Sequence, residues 1–104
     1  MTRRPRATTD ARFTFDVLRA GSPVLVDFHA DWCRSCRLLD PVLDDLAGDW
    51  GVRRRIVKLD VEANPHSADR YGVKGIPTLI LFDGGEERDR MVAVIRRQAI
   101  EDRL

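Results

Sequence analysis

Two cysteines, in the run Cys33-Arg34-Ser35-Cys36, sit where a strand-like segment gives way to a helix-like one. No other feature constrains the fold of this chain as strongly. Upstream, Val24-Leu25-Val26-Asp27-Phe28 is a short, mostly apolar run of the buried-strand kind. Downstream, Leu38, Leu39, Val42, Leu43, Leu46 and Trp50 recur at helical spacing, with Asp40, Asp44, Asp45 and Asp49 between them. A helix starting near Cys33 places both sulfurs on one face, one turn apart, at the separation of roughly 5–6 Å that a disulfide requires. Cys33 then meets the free N–H groups and the positive dipole end of the first turn, and Arg34 adds positive charge. All three favour thiolate over thiol. Cys36 lies a turn deeper. The pattern reads as a nucleophilic Cys33 and a resolving Cys36, against two rivals. One is a pair of small buried apolar residues. The other is a zinc site, which only His29 and His66 could complete and for which they lack the usual paired spacing.

A chain of 104 residues suits one domain with one core, and 43% hydrophobic content is ordinary for a globular protein. Charged residues make up 34%, yet the formal net charge is +1, which gives no reason to expect a nucleic-acid partner. Arginine far outnumbers lysine, a compositional preference rather than a phosphate-binding signal. Apolar runs are too short to span a bilayer, and no signal-peptide core follows the basic start, so the expectation is no membrane partner and a cytoplasmic location. Two cysteines in a reducing compartment point to catalysis more than to structural bridging.

Residues 1–12, with Arg3, Arg4, Pro5 and Arg6 at the front, show neither alternation nor a cap, and are expected to be a flexible basic N-terminus or a frayed edge strand. The folded domain is expected over 13–104. A short helix from about Thr14 to Ala20 should turn Phe15 and Leu18 inward and stop at Gly21. A strand over 23–29 leads into the long helix of roughly 33–49, which Pro41 should kink without ending. A strand around Ile56–Leu59 follows, then a short helix capped by Asn64 with Pro65 at its first position, running to about Tyr71. Thr78–Phe82 is the most apolar strand. The turn at Asp83–Glu86 predicts a hairpin with Met91–Ile95, and a last helix over Arg97–Leu104 offers Ala99, Ile100 and Leu104 to the core. Alternating strands and helices closed by a hairpin imply an α/β fold, a central mixed sheet of four to five strands covered by helices on both faces.

Over residues 13–95 the chain resembles thioredoxin. The resemblance rests on Pro23–Phe28, Ala30, Trp32-Cys33, Cys36, Pro41, Lys58, Asp60, Asn64-Pro65, Tyr71-Gly72 and Gly75–Leu79, all collinear. It implies that Cys33 attacks a substrate disulfide and Cys36 resolves the mixed disulfide, chemistry that needs a thiolate attacker and a second sulfur nearby. Asp27, alone among apolar neighbours, is then a buried acid of raised pKa that handles the proton of Cys36; otherwise it is a strand-end carboxylate that reaches solvent. Lys58 resembles the lysine that tunes this acid. Ile76-Pro77 resembles the family's cis-proline turn, which abuts the cysteines, offers backbone atoms to an extended substrate and keeps metal from the thiols. Trp32, Arg34, Ser35, Gly75, Ile76, Pro77 and Ala93 would surround the sulfurs on the substrate side, with Val92 beside them as ordinary packing.

The resemblance further implies a monomeric protein-disulfide reductase with no cofactor beyond its redox-active disulfide, supplied with electrons by a thioredoxin reductase. There are departures. Arg34-Ser35 stands where thioredoxins carry Gly-Pro, and a lowered Cys33 pKa would make the couple more oxidising. His29 replaces a tryptophan, and Ala93 replaces a glycine. The first strand lacks its usual apolar residues, and the last helix is about a turn short. These keep open an oxidant or isomerase, a non-catalytic binding module, and two chains pooling cysteines around a metal.

Overall fold

A computed structural model describes residues 4–104; Arg3, at the basic front of the sequence, lies outside the described residues. A five-stranded mixed sheet forms the centre, from β1 (Arg6–Ala7), β2 (Val24–His29), β3 (Arg55–Asp60), β4 (Thr78–Asp83) and β5 (Glu86–Val92). The strands lie in the order β1-β3-β2-β4-β5. Strands β1 and β2 run parallel to β3, whereas β4 is antiparallel to both β2 and β5. The helices are α1 (Arg34–Trp50), α2 (Pro65–Arg70) and α3 (Arg97–Glu101).

Strand β2 takes the middle because it can be buried on both sides. Val24, Val26 and Phe28 point to one face, where they meet Phe13, Val17, Leu59, Ile80 and Phe82. Leu25 points to the other face and joins Leu39, Leu43 and Leu46 of α1 with Met91 and Ile100. Leu39, Leu43 and Leu46 are fully buried, each contributing about 1.5–3 kcal/mol of apolar transfer. The period of two in a strand places Asp27 on the Leu25 side, under α1. That one register assignment puts a carboxylate inside the sheet–helix interface.

Helix α1 passes through Pro41 and runs on to Trp50, as its apolar stripe predicts, and stops at Gly51, whose φ of 60° suits glycine. The segment before β2 differs from expectation. Thr14–Leu18 forms a wide π-type turn, closed by the Arg19 N–H donating to the Thr14 carbonyl at 2.8 Å. The buried residues of this segment are Phe13 and Val17. Leu18 is half-buried, and Phe15 is 68% exposed with Arg12 over its ring. In the hairpin, β5 covers Glu86–Val92 and not Met91–Ile95. Its first three residues are exposed and charged, as befits an edge strand, so apolar patterning does not reveal it. Ala93 ends it at φ 59°, where a Cβ costs on the order of 1 kcal/mol. Helix α3 stops at Glu101; Ile100 is fully buried, while Ala99 and Leu104 are only partly so.

Helix α2 begins with Pro65 after Asn64, yet Asn64 makes no side-chain cap. The capping oxygens come from Asp10, which accepts from the N–H groups of His66 at 3.0 Å and Ser67 at 2.8 Å. Asn64 answers by accepting the Asp10 N–H at 3.0 Å. Burial opposes ionisation of Asp10, but the hydrogen bonds from Ser67 and His66 prevail and hold its carboxyl below the usual range. Its stabilisation is therefore present above the ordinary carboxylate pKa and lost on acidification. Asp10→Ala should lower stability by about 1–2 kcal/mol, read from urea denaturation at pH 7. An unchanged midpoint would mean the clasp between residues 10 and 64–67 contributes nothing.

Candidate active site

Cys33 is the residue before the first turn of α1, with extended backbone at φ −80° and ψ 111°. This is the N-cap position, where a side-chain acceptor normally satisfies the third helical N–H. Here the acceptor is sulfur: the Cys36 N–H donates to Cys33 Sγ at 3.2 Å. Cys33 and Cys36 are joined as a disulfide with Cα atoms 5.2 Å apart. Both are buried, Cys33 at 5% and Cys36 at 2% exposed, packed with Ala30 against Val61 and Ile76. Ser35 Oγ lies 3.4 Å from Cys33 Sγ, and Arg34 projects into solvent. The first turn of α1 holds no acidic residue that would oppose charge on the sulfur.

Of the residues expected on the substrate side, Gly75, Ile76, Pro77 and Ala93 are brought together near the cysteines. Ile76 packs on the cysteine cluster, and the Ile76-Pro77 peptide is cis. The Pro77 carbonyl accepts from the Ala93 N–H at 2.8 Å, and Thr78 Oγ1 donates to the Gly75 carbonyl at 2.5 Å. A Cβ on Gly75 would lie 3.4 Å from Val92 Cγ1, so Gly75, Pro77, Val92 and Ala93 are contiguous. Gly75, Ala93, Val92 and Trp32 are exposed, the last two at 55% and 65%. Trp32 is held by its indole N–H, which donates to Glu62 Oε1 at 2.7 Å, a contact that no pattern around the cysteines announces.

Beneath α1, Asp27 is fully buried, and neither carboxylate oxygen has a hydrogen-bond partner among the described residues. Its strand neighbours are Lys58 on β3 and Leu79 on β4. Burial pushes its pKa up to about 7; Lys58 partly offsets this, and Asp40 adds to it. Lys58 Nζ forms its ion pair with Asp40 Oδ1 at 2.5 Å, reaching out to α1. Asp40 was hidden in the sequence among four aspartates on an amphipathic helix. His29, half-buried, has its imidazole pKa lowered by burial and by Lys58, which keeps it neutral. Among the described residues no cluster of three or more His, Cys, Asp or Glu could hold a metal ion, and no helix is long and apolar enough to cross a membrane.

A mixed sheet with a two-cysteine couple capping its central helix, and a cis-proline turn against it, defines a protein built for thiol–disulfide exchange. The sequence agrees: the chain belongs to the thioredoxin family, whose profile, described as Thioredoxin, matches residues 4–104. It is 45% identical over 91 residues to a thioredoxin of Pseudomonas aeruginosa, covering 86% of this chain and 84% of that one. It is 40% identical over 96 residues to a thioredoxin of Synechocystis, covering 92% and 90%. Similarity to the chloroplastic thioredoxin M4 of Arabidopsis thaliana is 37% over 93 residues, 89% of this chain but 48% of that protein's length.

Proposed function

We propose that this chain is a protein-disulfide reductase working through the Cys33/Cys36 dithiol. The observation that carries the reading is Cys33 at the N-cap of α1, sulfur facing the Cys36 N–H, with its partner sulfur one turn inward. The Cys33 thiolate attacks one sulfur of a substrate disulfide, forming a mixed disulfide and expelling the other substrate sulfur as thiolate. Cys36, losing its proton, then attacks Cys33 Sγ, closes the Cys33–Cys36 disulfide and releases the second substrate thiolate. Two electrons pass from the dithiol to the substrate. Asp27, near neutrality in pKa, takes the Cys36 proton and returns it on the reverse step; Lys58 adjusts that acid.

Trp32, Arg34, Ser35, Gly75, Ile76, Pro77 and Ala93 form the docking rim, where the exposed Gly75 and Ala93 backbone suits an extended substrate segment. The methyl of Ala93 makes that approach tighter than glycine would. No resident cofactor is needed, since the disulfide itself carries the electrons; a thioredoxin reductase regenerates the dithiol. The reading also assigns a cytoplasmic monomer serving cell redox homeostasis, on the grounds that a two-cysteine chain with both sulfurs at one site suits a reducing compartment.

Arg34, at the first helical position, stabilises the Cys33 thiolate and with it the reduced protein. Each unit by which it lowers the Cys33 pKa adds about 1.4 kcal/mol, or roughly 30 mV towards a more oxidising couple. Its exposure reduces the effect. The test is turnover: catalytic amounts with excess dithiothreitol should accelerate cleavage of the interchain disulfides of insulin. A rate equal to that of dithiothreitol alone would reject the reading.

A further inference from the structure

The Asp27–Lys58 strand pair is expected to neutralise itself, and it does not. Lys58 and Asp27 are direct neighbours in the parallel β2–β3 register, on the same α1-facing side of the sheet. A lysine there would normally turn to an unpaired buried carboxylate, because an orphaned carboxylate in a dry interface is costly. Instead Lys58 Nζ lies 2.5 Å from Asp40 Oδ1, and Asp27 has no hydrogen-bond partner on either oxygen among the described residues. The Lys58 and Asp40 side chains are 24% and 40% exposed, so their pair sits at the mouth of the interface while Asp27 stays fully inside.

We propose that Asp40 is a positioning residue: it draws the Lys58 ammonium outward and leaves the buried Asp27 carboxyl without a paired cation. The inference rests on the proton-handling role proposed for Asp27 and adds what sets it. Among the described residues, the charged groups that act on Asp27 are Lys58 from β3 and Asp40 from α1, while β4 presents Leu79. His29 lies two residues further along β2, and Cys33 and Cys36 at the start of α1 are joined as a disulfide and carry no charge. His29 is held neutral by burial and by Lys58. The sign of the local field therefore depends on where Lys58 points, and Asp40 decides that.

The geometry separates two effects of Asp40. Its own negative charge disfavours a second carboxylate nearby, and its ion pair removes the cation that would favour one. Both act in the same direction. Without Asp40, Lys58 is free to turn inward and pair with Asp27, whose ionised form then gains. Each unit by which the Asp27 pKa falls removes tenfold from its protonated population at pH 8.

The test is a carbon-13 NMR titration of the Asp27 carboxyl in the oxidised full chain, comparing the wild type with Asp40→Asn, Asp40→Glu and Lys58→Met. The expected results are a midpoint near 7 in the wild type, a fall towards the ordinary carboxylate range in Asp40→Asn, and a near-wild-type midpoint in Asp40→Glu. In a Lys58→Met background, Asp40→Asn should lose most of its effect, which a purely structural role would not produce. An unmoved midpoint in Asp40→Asn, or the same fall with and without Lys58, overturns the proposal. The titration needs no turnover, so failure here is distinct from failure of the reductase reading, which the insulin assay reports separately.

Discussion

Cys33→Ser is expected to abolish disulfide reduction, lowering the rate about a thousandfold or more, to the level of the chemical reductant alone. A serine hydroxyl at the N-cap keeps the hydrogen bond to the Cys36 N–H that Cys33 Sγ now accepts, so the fold should survive. What is lost is a nucleophile that ionises near physiological pH. The companion substitution Cys36→Ser separates the two steps. It leaves attack by Cys33 intact and removes the sulfur that resolves the adduct, so covalent complexes with substrate should accumulate in a single turnover. Mass spectrometry of the non-reduced mixture reads both variants. Adducts forming through Cys36 in Cys33→Ser, with none in Cys36→Ser, would reverse the assignment.

The second large effect belongs to Asp27. Its folded-state pKa of about 7 lies above the ordinary value of 3.8, so the native state holds a proton that the unfolded chain releases between these two pH values. Stability therefore falls as pH rises from about 4 to about 7, at roughly 1.4 kcal/mol per unit and about 4 kcal/mol in all. Above the folded pKa the loss is complete and the curve flattens. Asp27→Asn removes this slope. Its buried amide costs about 1–3 kcal/mol for want of partners, so the variant should be weaker than the wild type at pH 4 and equal or stronger at pH 8. Urea denaturation of the oxidised protein across that range is the measurement, and parallel curves would mean that Asp27 titrates normally. The same variant should slow the resolving step about a hundredfold, since the carboxylate proposed to take the Cys36 proton is removed.

The elements most visible in the sequence were those whose local preferences agree with their tertiary surroundings. Strand β2, helix α1 and strand β4 carry long apolar patterns, and the Cys33/Cys36 junction follows from them. The sheet core and the cysteine pair are legible for that reason. What stayed hidden depends on contacts between distant segments. Phe13 and Val17 face inward in place of Phe15, a choice between two helical stripes on one short segment that only packing against the sheet decides. Strand β5 opens with charges because its side chains meet solvent at a sheet edge. Asp10 caps α2 from 56 residues away. Asp40 acquires its partner only when β3 and α1 pack together. Lys58 is the strand neighbour of Asp27, as the resemblance implies, but the direction of its side chain is not written in the sequence.

The decisive measurement is the redox equilibrium of the Cys33–Cys36 couple against glutathione, with Cys33→Ser as the blank. A reversible two-electron couple is expected between about −270 mV, the thioredoxin value, and about −240 mV, the increment corresponding to one pKa unit from Arg34. A pair that forms no disulfide, or one poised above about −180 mV where oxidants and isomerases operate, would contradict it.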